Sequence, residues 1–114
     1  MKLYIYLIFF SLIFSDDLKN VQVLDITSNR EMKKYMKSIS KDLGTKCKSC
    51  HIMDDKSLDT PEKDIAREMM ILTRHINEIL LTIENENEEK ISPITCWTCH
   101  KGSFEVEQTR PVEE

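Results

Sequence analysis

Glycine and proline are scarce in this 114-residue chain, with two of the first and three of the second. So few turn-formers leave little room for a turn-rich all-β fold. Basic charge is not in excess either. Sixteen lysines and arginines stand against twenty acidic residues, for a net charge of −4, which excludes a free nucleic-acid binder. Long hydrophobic runs are missing: the longest, Leu3 to Phe14, has twelve residues, against the roughly 20 that a membrane-spanning helix needs. No cysteine stands near that run, which argues against a lipid attached there.

One feature is present at the N-terminus. Lys2, the apolar run and then Ser15-Asp16-Asp17 have the charge and hydropathy order of a secretory signal. Ser15 suits a cleavage site and Ile13 does not, so residues 1–15 are expected to be a signal peptide or an N-terminal anchor. Residues 16–28, with Val21, Val23, Leu24 and Ile26, are expected to form an extended arm, and residues 105–114 a loose polar tail. The remainder, 29–104, is a single small domain. Domains of that size have thin cores and often need a staple, a metal or a cofactor.

Two helices are predicted in it. The first covers about Asn29 to Leu43. Ser28 with Glu31 three residues on fits a capping box, Met32, Met36, Ile39 and Leu43 fall on one face, and Gly44 supplies a stop. The second covers Pro61 to about Ile83, with Thr60 as cap and Pro61 as first helical residue. Its apolar stripe is Ile65, Met69, Leu72, Ile76, Leu80 and Ile83. The acidic stretch Glu84 to Lys90 reads as a connector.

All four cysteines and two of the three histidines lie in two copies of one pentapeptide, Cys47-Lys48-Ser49-Cys50-His51 and Cys96-Trp97-Thr98-Cys99-His100. Each copy follows an apolar helix bearing a methionine, so the chain is an internal repeat. Met36 and Met69 are 33 residues apart and Cys47 and Cys96 are 49 apart, which puts a sixteen-residue insertion in the second unit. Cys-x-x-Cys-His is the attachment motif of c-type haem. The two sulfurs form thioethers to the vinyl groups, and the adjacent imidazole ligates iron. Zinc is a poorer reading, because 45 residues separate Cys50 from Cys96, well beyond a ribbon spacing. A thioredoxin-like dithiol needs a βαβ context that is absent here.

The cofactors are therefore expected to be two covalent c-type haems. Cys47, Cys50, Cys96 and Cys99 anchor them, with His51 and His100 as proximal iron ligands. The matched repeat positions make Met36 and Met69 the sixth ligands, since Met/His coordination suits electron-carrying haems. Met70 lies about 100° round the helix from Met69. His75, beside the stripe, is the alternative ligand for the second haem.

At these residues the chain resembles the multihaem cytochrome c subunit of photosynthetic reaction centres. Ala66-Arg67-Glu68-Met69-Met70-Ile71-Leu72-Thr73-Arg74-His75-Ile76-Asn77 is similar to that family's Ala-Arg-x-Met-x-x-Met-Thr-x-x-Ile-Asn. Thr95-Cys96-Trp97-Thr98-Cys99-His100-Lys101-Gly102 is similar to its Thr-Cys-x-Thr-Cys-His-Arg-Gly. The family subunit carries four haems, so this chain looks like one half standing alone. Leu72 replaces the second Met of the helix motif and Lys101 the Arg. The resemblance implies axial ligation by Met69 and, at the matching position, Met36. The two helices, each leading into a Cys-x-x-Cys-His turn, are expected to make a mostly α fold of two helix–turn–motif units packed on haem, and iron closed by His and Met to give single-electron transfer rather than enzymatic chemistry. The exported, periplasmic side of a membrane would be its location. A haem-based gas sensor or peroxide-reactive protein with one open iron is the other function considered. Arg30, Lys33, Lys34, Lys37 and Lys41 share one side of the first helix, and a redox partner with an acidic docking patch would suit them.

Overall fold

The computed structural model describes residues 18–87 and 89–109. The expected signal or anchor at 1–15 lies outside them, as does the end of the tail. Among the described residues the chain is helical and contains no strand, and no helix is long and apolar enough to cross a membrane. The order is α1 (Asn29–Asp42), a 3-10 turn (Cys47–Ser49), α2 (Pro61–Asn87) and α3 (Cys96–His100).

α1 starts and stops where local chemistry dictates. The Ser28 hydroxyl accepts the Glu31 amide at its first turn, satisfying one of the orphan donors of a helix start. At the other end the Gly44 amide donates to the Lys41 carbonyl and the Thr45 amide to that of Ser40. This is the paired closure of a helix whose following residue is left-handed, and Gly44 has φ +58°. The expected last residue, Leu43, is instead the cap.

α2 begins as expected, with the Thr60 hydroxyl accepting the Lys63 amide at 3.1 Å. It ends four residues later than the periodicity suggests, at Asn87 rather than Ile83. The acidic stretch read as a connector is helical through its first half. It holds neither Gly nor Pro before Pro93, and Glu84 turns back to accept the Ile91 amide at 3.1 Å.

Residues 18–28 are irregular and lie along α2. Arg67 reaches the Asn20 carbonyl and Arg74 that of Val23. Three extended residues span about 10 Å, the same as seven residues of helix, so the arm and α2 run side by side in one direction.

The two repeats meet at the only two glycines. The Gly102 amide donates to the Asp42 carbonyl at 2.9 Å, so an orphan acceptor at the end of α1 is satisfied from the loop after α3. A Cβ on Gly44 would overlap the Gly102 carbonyl oxygen and lie 2.7 Å from its carbon. Gly102, at φ +80°, sits over the Trp97 ring, 3.2 Å from where its own Cβ would be. The close approach exists because Gly44 has no side chain.

None of the described residues is fully buried. The described residues thus make no closed hydrophobic core of their own.

Candidate cofactor sites

Each Cys-x-x-Cys-His is a single tight turn. In the first motif the Cys50 and His51 amides both return to the Cys47 carbonyl, at 3.2 and 2.9 Å. The second is a short helix, α3, opened by a bond from the Thr95 amide to the Thr98 hydroxyl (3.0 Å) and closed by left-handed Lys101. Such a turn brings both sulfurs to one side and sets the histidine directly after them.

The two imidazoles are held alike. His51 donates from Nδ1 to the Lys56 carbonyl (3.2 Å), and His100 from Nδ1 to the Ser103 carbonyl (3.0 Å). A carbonyl can only accept, so Nδ1 carries a proton in both rings, and Nε2 is the nitrogen left for a metal. A metal-ligating histidine is commonly oriented by such a bond from its other ring nitrogen to a backbone carbonyl.

Side chains tie each motif to its helices. Thr60, the cap of α2, donates to the Cys50 carbonyl at 2.7 Å. Ser40 donates to the Thr45 carbonyl, and Thr45 to the Ser49 hydroxyl at 2.7 Å. In the second unit Asn77 makes two bonds to one residue, donating to the Ile94 carbonyl (2.9 Å) and accepting the Ile94 amide (2.8 Å). Residues 78–93 between them are the sixteen of the insertion. They form an excursion whose two ends are pinned together by one amide side chain.

The four cysteines are free thiols. Burial pushes the Cys50 and Cys96 thiols above their ordinary range, helped by Glu62 near the first and Asp42 near the second. Among the described residues no three His, Cys, Asp or Glu side chains converge on one point, so the two cysteine pairs do not build the four-ligand site that zinc requires. The donor set instead fits two separate haems c.

The candidate methionines stand on different helices. Met36 is half-buried on α1 and Met69 is 47% exposed on α2. Ile65, Leu72 and Ile83 on the expected stripe are exposed with Met69, and Ile79 joins them, while Ile76 and Leu80 are half-buried. An apolar stripe presented outward on a small chain is what a porphyrin face would cover. Met70 is half-buried, and exposed His75 lines a shallow groove with Glu78, Ile79 and Thr82. Half-buried Tyr35, next to Met36, has its hydroxyl pushed up first by burial and then by Cys96. It places α1 beside the second motif.

Sequence reasoning saw Thr60 only as a cap, gave Asn77 no role and passed over Lys63. The Ile-Asn ending of the helix motif was the available signal for Asn77. For Lys63 the only signal was its i,i+4 spacing from Asp59, with which it pairs, since its hydrogen-bond partners are backbone carbonyls.

The family model of the photosynthetic reaction centre cytochrome C subunit matches residues 13–109. No curated protein and no solved structure gives a significant match.

Proposed function

The chain belongs to the photosynthetic reaction centre cytochrome C subunit family, a family of c-type electron-transfer cytochromes, and we propose that it is a two-haem relay. Cys47 and Cys50 hold one haem and Cys96 and Cys99 the other. His51 and Met36 would ligate the iron of the first, and His100 and Met69 that of the second. The bound haems supply one-electron ferrous–ferric chemistry. The chain orients the two imidazoles through Nδ1, directs Nε2 to the metal, and offers methionine sulfurs on its helices as sixth ligands. The observation that carries the reading is the matched Nδ1-to-carbonyl bond in both motifs. Two histidines that were merely surface residues have no reason to share it.

Fully ligated iron leaves no position for substrate, so the protein is a carrier and not an enzyme. Arg30, Lys33, Lys34, Lys37 and Lys41 are all exposed along α1. Their spacing of three and four residues makes a cationic strip, suited to brief docking of an acidic redox partner on the exported side of a membrane.

The test is the intact mass and visible spectrum of the protein matured with its haems. A gain of two haems and low-spin spectra indifferent to carbon monoxide are expected. A spectrum that responds to carbon monoxide would expose an open iron and favour gas sensing or peroxide reduction. No gain in mass would overturn the haem reading.

A further inference from the structure

The two histidine-to-carbonyl bonds are alike in geometry but differ in what else touches the carbonyl. The Lys56 carbonyl that accepts from His51 also accepts the Lys63 ammonium at 3.1 Å. The same ammonium donates to the Ser57 and Leu58 carbonyls, each at 3.0 Å. Its side chain is only 13% exposed, with the Asp59 carboxylate 3.6 Å away. Among the described residues, the Ser103 carbonyl that accepts from His100 has no cation on it.

The bond at Nδ1 governs how strongly an imidazole donates to its metal. A better acceptor makes the ring more imidazolate-like and stabilises the ferric state. An ammonium on the same oxygen draws density away and competes for its lone pairs. A positive charge there also favours the iron state with one more electron. Asp59 offsets part of that charge, but it is shared with Arg67 at 2.7 Å and does not touch the carbonyl.

We propose that Lys63 raises the reduction potential of the haem held by His51 above that of the haem held by His100, acting as a positioning residue through the Lys56 carbonyl. The inference rests on the ligation reading above. It makes the two units of the repeat electronically unequal although their ligand sets are the same.

The test is a spectroelectrochemical titration of the matured protein, its haem content fixed by intact mass. Met36→His, which lowers the wave of the haem on His51, identifies that wave. Lys63→Gln moves it to lower potential, leaves the other wave in place and keeps the low-spin spectrum. Lys63→Arg, still cationic, restores most of the gap. Asp59→Asn, which releases the ammonium from its carboxylate, moves the same wave upward, so the pair of variants must shift in opposite directions. An unmoved wave, or two waves that shift together, overturns the role of Lys63 and leaves the two-haem reading standing. A chain without covalent haem overturns both.

Discussion

The two units of the repeat reach the same local arrangement by different routes. In the first, α1 ends at Asp42 and Gly44-Thr45-Lys46 lead straight into Cys47. In the second, α2 runs ten residues beyond Asn77 before the chain returns at Ile94. Asn77 corresponds to Gly44 in the repeat. What a left-handed glycine does in one unit by turning the backbone, an amide side chain does in the other by clamping two backbone positions that are distant in sequence. Chain distance is free to vary once hydrogen bonds close the loop, since closure entropy grows only slowly with loop length.

That comparison breaks most severely at the glycine. An alanine at φ +58° is strained by about 1–3 kcal/mol, and at position 44 its Cβ would also overlap the Gly102 carbonyl oxygen. Gly44→Ala is therefore expected to lower the melting temperature of the matured protein by roughly 10 °C or more, from a loss of at least about 2 kcal/mol. Gly102→Ala meets the movable Trp97 ring instead and should cost less. Calorimetry of the two variants measures the difference, and equal losses would mean that the two glycines are not in unequal contact.

The clamp comes next. Asn77→Ala removes two hydrogen bonds, for about 1–3 kcal/mol. Asn77→Asp retains an acceptor for the Ile94 amide and loses only the donor, so it should cost less. Hydrogen exchange should report the loosening at Ile94 and through residues 89–96, with α1 unchanged. An equal response in both units would mean that the repeats are not independently closed.

The smallest effect is expected at the arm. The Asp59 carboxyl is held below its ordinary range, first by hydrogen bonds from Arg67 and Asn20 and then by the charges of Arg67 and Lys63. A depressed folded-state pKa stabilises above the unfolded value of about 3.9 and is lost as pH falls through the folded one. Acidification below about pH 4 should therefore release the Asn20 contact before the helices are affected. Asp59→Asn should flatten that dependence. Amide shifts of residues 19–23 followed against pH decide it, and a pH-independent arm would count against this account.

Much of this was legible beforehand. Ser28, Thr60, Pro61 and Gly44 mark helix ends because capping is local chemistry, and the mostly α fold followed from periodicity. The family followed from the Ala66-Arg67 helix motif with the two Cys-x-x-Cys-His turns. The extension of α2 to Asn87 was not legible, because an acidic run without Gly or Pro is compatible with helix or connector. Glu84 decides between them by its bond to a residue seven positions away.

The sequence by itself determined which residues can bond to haem, because thioether and imidazole chemistry need those residue types in adjacent places. It also determined the size of the insertion. Only the tertiary structure decided that the insertion closes on Asn77, that the two glycines touch, and that Lys63 shares a carbonyl with His51. In each of those contacts one partner is a backbone atom that every residue carries, so the sequence shows at most the other partner and never the pairing.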